Sequence, residues 1–110
     1  MKEDLDAFLD ATLWRRAAYN QINVIPKGML ASYGRIAELT NLAAGTAVSA
    51  RQIAWLRRRL YGFLTHDTEV PLHRVAKMGD VASKHDSEDT RRINTELRIQ
   101  EEITGGGSWL

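Results

Sequence analysis

The sequence predicts a mainly α-helical domain with a small β wing, a winged helix-turn-helix, and three observations carry that expectation. Residues 3–23 repeat apolar side chains at helical spacing. Residues 32–61 hold two short amphipathic stretches separated by a brief connector, the pattern of two helices joined by a tight turn. Residues 72–84 read as two short strands about a turn, and a last helical stretch follows at about 87–103.

Each element has its own warrant. In the first stretch Leu5, Phe8, Leu9, Leu13, Ala17 and Ile22 share one face, and acids stand at the front, where the helix dipole favours them. One packing helix is expected there. Pro26 and Gly28 punctuate a turn over 24–31. Ser32 has the chemistry of an N-cap for a helix from Tyr33 to Thr40, with Ile36, Ala37 and Leu39 partly buried. Asn41 to Gly45 is expected as a loop, and Thr46 or Ser49 caps a second helix that runs to about Tyr61. Gly62 to Pro71 is expected as a loop. His73–Ala76 and Val81–Ala82 form the strands of the wing, with Met78-Gly79-Asp80 as their turn. Ser87 opens the final helix, whose apolar face is Ile93, Leu97 and Ile99 or Ile103. Gly105-Gly106-Gly107 is a flexible stretch, and Trp109 tucks back onto the fold or frays.

The 110 residues and 12.4 kDa fit one domain with one core. No apolar run approaches the roughly 20 residues of a membrane helix, and the acidic start has no signal-peptide core. The chain holds no Cys, which removes disulfides and thiolate metal sites. His66, His73 and His85 lack metal-site spacing. We therefore expect no metal, no cofactor, no membrane contact, a cytoplasmic location and a monomer. The overall charge of +1 conceals an asymmetry: residues 27–77 carry +5, residues 1–26 carry −1 and residues 78–110 carry −3. A basic centre between acidic flanks suits a nucleic-acid face, or an unevenly charged solvated surface.

The second helix of the pair divides into two faces. Val48, Ile53, Leu56 and Leu60 should look inward. Ala47, Ala50, Arg51, Ala54, Arg58 and Tyr61 fall on the other side. A helix reading the major groove usually offers Asn, Gln, Arg or Ser across its face. The minor groove, only about 6 Å wide, demands small side chains. Ser49, Ala50 and Ala54 beside arginines therefore favour minor-groove docking with little sequence readout. The competing reading is an Ala-rich face packed on another helix.

Four segments, taken in order, carry a family resemblance: Ile25-Pro26-Lys27-Gly28, Ser32-Tyr33-Gly34, Ser49-Ala50-Arg51-Gln52-Ile53 and Pro71-Leu72-His73-Arg74-Val75. Together they resemble the C-terminal DNA-binding domain of the O6-alkylguanine-DNA alkyltransferases. In that family the last motif is Pro-Cys-His-Arg-Val, and its thiolate takes the alkyl group. Here Leu72 stands in that place and can supply no nucleophile. The chain thus resembles the alkyltransferase-like proteins, which bind the lesion without repairing it. Those proteins usually carry Trp at this position, so Leu is a departure. The connector over 41–48 is about four residues longer than in the family, Ala54 replaces a frequent Gly, and the hinge Asn after the recognition helix is absent.

The resemblance implies roles for particular residues. Arg51 would enter the base stack and replace an extruded base, and Tyr33 would help rotate the nucleotide from the phosphate side. Extrusion costs a few kcal/mol, and a planar guanidinium can refill the gap. Ser32, Ser49, Ala50, Gln52, Ala54 and Arg58 would complete the DNA contact. Tyr33, Leu72, Val75 and Lys84 would border an alkylguanine pocket, with Lys84 alternatively a plain exposed lysine. His73 would have a structural hydrogen bond inside the motif, and Arg74 would support the fold through the backbone. The implied function is non-enzymatic recognition of O6-alkylguanine in duplex DNA, with base flipping and signalling to nucleotide excision repair proteins. The alternative is a winged-helix DNA-binding or regulatory protein that has lost lesion recognition.

Overall fold

The computed structural model describes residues 4–63, 70–76, 88–100 and 108–110. The first amphipathic stretch forms two helices, α1 (Leu5–Asp10) and α2 (Leu13–Asn23), instead of one. Thr12 breaks the run, with φ −140° and ψ 153°. The break turns Leu13 into solvent, 70% exposed, while Phe8, Leu9 and Ile22 keep the inward face. Arg16 ties the two helices by ion pairs to Asp6 at 2.9 Å and Asp10 at 3.0 Å. Its guanidinium holds the Asp10 carboxyl below the usual carboxylate range.

Residues 24–31 are more than a turn. Gly28, at φ 86°, closes the turn and delivers the chain into β1 (Met29–Ser32). β1 is the middle strand of a small parallel sheet in the order β2-β1-β3, where β2 is Val75–Ala76 and β3 is Ser108–Trp109. Ala31 pairs with Val75, and Leu30 with Trp109, so the C-terminal tryptophan is bound into the fold. A central parallel strand is buried on both faces and shows no alternation, which is why Met-Leu-Ala-Ser reads as a connector.

α3 (Tyr33–Ala44) follows directly, capped by Ser32 Oγ, which accepts from the Arg35 N–H at 3.0 Å. It runs four residues beyond Thr40 because Leu42-Ala43-Ala44 continue the helix until Gly45, at φ 67°, ends it in the left-handed region that glycine tolerates. α4 (Ala50–Tyr61) packs against it. Leu72–Arg74 is a 3-10 turn rather than strand, and only Val75–Ala76 pairs. The expected turn at Met78-Gly79-Asp80 and second wing strand lie outside the described residues. α5 (Glu88–Gln100) is the last described helix and precedes β3. Among its described side chains Asn94 and Arg98 are buried and Ile93 and Leu97 are only half-buried, while Ile99 and Ile103 lie outside the described side chains. Polar partners explain this: the Asn94 amide donates to the Tyr61 hydroxyl at 2.9 Å, and Arg98 Nε donates to the His73 carbonyl at 2.7 Å.

The core gathers Phe8, Leu9, Ile22 and Ile25 with Ile36, Val48, Ile53, Leu56, Leu60, Leu72 and Val75. Helices α1 to α4 thus bury their apolar stripes against the same centre, leaving the outer face of α4 uncovered.

Candidate nucleic-acid interface

The start of α4 is built with more fixed contacts than any sequence pattern displays. Asn41 of α3 reaches across the connector: its Oδ1 accepts from the Val48 N–H at 2.8 Å and the Thr46 hydroxyl at 2.9 Å, and its Nδ2 donates to the Val48 carbonyl at 3.0 Å. Next comes a capping box, in which Ser49 Oγ accepts from the Gln52 N–H at 3.3 Å and Gln52 Oε1 accepts from the Ser49 N–H at 2.9 Å. The lengthened connector is therefore pinned to α3, and it holds the first turn of α4 in place.

From that anchored turn the outer face of α4 projects Arg51 and Arg58, both exposed, with Ala54 half-buried between them. Ser49, Ala50 and Gln52 are exposed at the same end. Spacings of three, four and seven bring Arg51, Ala54 and Arg58 onto one stripe. The face is thus cationic, with small side chains where it must approach closely. The inner face holds Ile53, Leu56 and Leu60, all fully buried.

Ser32 belongs to the fold before it belongs to any interface: it is 9% exposed and caps α3. Tyr33 opens α3 and is half-buried against the core. Gln52 and Ser49 likewise spend one oxygen each on the cap of α4.

Of the residues expected to border a pocket, Leu72 is 3% exposed and Val75 is 0% exposed, and both belong to the hydrophobic core. An aliphatic side chain with no polar atom to satisfy gains most by joining the core, roughly 25 cal/mol for each Å² removed from water. Lys84 lies outside the described residues.

His73 is buried, and its carbonyl accepts from Arg98. Arg74 Nη1 donates to the Ile25 carbonyl at 2.9 Å, bonding the turn to the segment ahead of β1. Arg57, part of the basic segment by sequence, is 1% exposed. Its Nε donates to the Leu72 carbonyl at 3.1 Å, and its guanidinium lies 5.1 Å from the Tyr61 ring centroid. It holds the Leu72–Arg74 turn from below and adds nothing to the outer face. Arg57→Met, which keeps bulk and removes the donors, should lower stability by about 1–3 kcal/mol in urea denaturation. A loss of DNA affinity at unchanged stability would place Arg57 on the interface instead.

Sequence reasoning missed Asn41, Asn94 and Arg98, and also Arg15, whose Nη1 donates to the Phe8 carbonyl at 3.1 Å. Their partners lie on other elements or on main-chain atoms, so spacing carries no trace of them.

No family model matches the chain, and no curated protein matches it. Solved structures do. A crystal structure of S. pombe Atl1 in complex with damaged DNA containing O6-carboxymethylguanine superposes with a TM-score of 0.64 at 25% identity, covering 96% of this chain and 88% of that one. The fold is similar to that of Atl1. A second crystal structure, of the S. pombe ATL protein in complex with DNA, gives a TM-score of 0.61 at 24% identity over 93% of this chain and 82% of that one. The likeness to Atl1 extends over nearly the whole length.

Proposed function

We propose that the chain is a non-enzymatic DNA-damage recognition protein of the alkyltransferase-like kind. It binds duplex DNA through the minor groove with the outer face of α4. The observation that carries this reading is Arg51, exposed in the first turn of a helix whose other exposed side chains are Ala50, Gln52, Arg58 and Arg59. The fold likeness to a protein crystallised on DNA containing O6-carboxymethylguanine supports it.

In this reading α4 enters the minor groove with Ala50 and Ala54 toward its floor and Arg58 toward a phosphate strand. Arg51 inserts where a base has left the stack, and Tyr33 supports the rotated nucleotide. The everted O6-alkylguanine lodges near the Leu72–Arg74 turn. Leu72 and Val75 are packed in the core, so lodging there requires the side chains above Leu72 to part. The chain has no Cys, so no thiolate accepts the alkyl group, and the complex marks the lesion for another repair pathway, by likeness nucleotide excision repair.

Incubation with duplex carrying labelled O6-methylguanine should leave the label on the DNA, while the binding constant falls linearly with salt on logarithmic axes. Label on the protein, or binding indifferent to salt, would refute the reading. The buried state of Leu72 also favours one second reading, a winged-helix DNA-binding or regulatory protein that no longer discriminates the lesion.

A further inference from the structure

The described residues include four glycines, at 28, 34, 45 and 62. Gly28 and Gly45 sit at φ 86° and 67°, where a side chain is strained. A Cβ at Gly62 would stand 3.3 Å from the Arg59 carbonyl oxygen. Gly34 has neither reason. It lies in the first turn of α3 with ordinary helical backbone and is exposed. A Cβ there would meet nothing within 4 Å beyond its chain neighbours and its own helix.

Glycine is the least favourable helix residue after proline, because it gives up the most backbone freedom on folding. Alanine at this position would hold the helix better and clash with nothing in the chain. The fold thus forgoes stability at Gly34 without gaining any packing. What a bare backbone offers instead is close approach by something outside the chain. The place in the fold suits one partner. Where a helix pair docks on DNA through its second helix, the first crosses the sugar–phosphate backbone. α3 is that first helix, and it packs directly on α4. Arg35, next to Gly34, adds a cation to the same turn, its Nη1 paired with Glu38 at 2.6 Å.

We propose that Gly34 is a close-approach point, where one sugar–phosphate strand of the bound duplex rests in van der Waals contact with the bare first turn of α3. A side chain there would hold the strand away, and α4 would be lifted from the groove together with α3. Gly34 therefore helps to set the depth at which Ala50, Arg51 and Ala54 can enter. This inference rests on the reading of α4 as a DNA-binding helix.

The test compares the wild-type chain, Gly34→Ala, Gly34→Gln and Arg51→Ala by thermal melt and by titration against duplexes with O6-methylguanine or guanine. Both Gly34 variants should melt at or above the wild-type temperature. Binding should weaken as the side chain grows, for Gly34→Gln by about tenfold or more. The factor should be the same on both duplexes, since a backbone strand carries no base readout. A glycine kept only for the fold would not yield variants that are firmer yet bind DNA less tightly. Gly34 variants that melt below the wild type would give the residue a reason inside the fold and overturn the close approach. So would a Gly34→Gln variant that binds as tightly as wild type while Arg51→Ala is weakened, a result that leaves the α4 reading standing. A wild-type chain with no salt-dependent DNA binding removes both.

Discussion

Arg51→Ala is expected to weaken binding to a duplex containing O6-methylguanine by at least tenfold, about 1.4 kcal/mol, while Arg92→Ala changes it less than about twofold. Both arginines are exposed, Arg51 in the first turn of α4 and Arg92 on α5. If charge alone mattered, the two losses would be comparable. On the function proposed above they should differ, because a guanidinium held at the anchored start of α4 would replace a departing base and alanine would leave that gap empty. The extrusion cost of a few kcal/mol is then uncompensated. Titration by fluorescence anisotropy with each variant checks it, and equal effects would remove the stack-filling role. The same comparison on undamaged duplex should show a smaller loss for Arg51→Ala, since no base leaves the stack there.

The second large effect concerns Leu72. Leu72→Ala should destabilise the fold by about 2–5 kcal/mol, the range for emptying a leucine-sized volume in a packed core. That is a substantial fraction of the roughly 5–15 kcal/mol that holds a domain together. Leu72 is 3% exposed among core residues that include Val75, and Arg57 fixes its carbonyl. A leucine lining an open pocket would lose far less on truncation, because water already occupies part of its surroundings. Urea denaturation decides between the two. A cost well under 1 kcal/mol would mean that Leu72 faces a cavity in solution.

Much of the helical part of this fold was legible because its signals are local. Ser32 and Ser49 are N-caps by type and by position, and the inward face of α4 follows from 3.6-residue periodicity alone. The strand Met29–Ser32 was not legible, since its reason for being extended lies in Val75 and Trp109, far along the chain. The break at Thr12 was hidden for a related reason: an apolar periodicity survives a break when both pieces pack on the same core. Arg57 and Arg98 enter the sequence analysis only through segment charge totals, yet both are buried donors to the Leu72–Arg74 turn, at the carbonyls of Leu72 and His73. Backbone acceptors have no residue type, so no motif announces them. Arg51 was visible as an arginine among small residues, whereas the clamp that positions its helix, Asn41, emerges only from the folded connector.

The burial of Leu72 bears directly on the lesion affinity that the proposed function implies. If side chains must part to admit a base, the free energy of that opening subtracts from the gain of burying the alkyl group, roughly 0.8 kcal/mol for each methylene. Larger O6-alkyl groups should therefore be favoured over methyl until the opened space is filled.

The most direct test is an equilibrium titration of the wild-type chain against two otherwise identical duplexes at one salt concentration, one with O6-methylguanine and one with guanine. A lesion sensor predicts at least tenfold tighter binding to the methylated duplex, about 1.4 kcal/mol. Equal affinities, with both falling alike as salt rises, would contradict it and leave a winged-helix DNA-binding protein without lesion recognition.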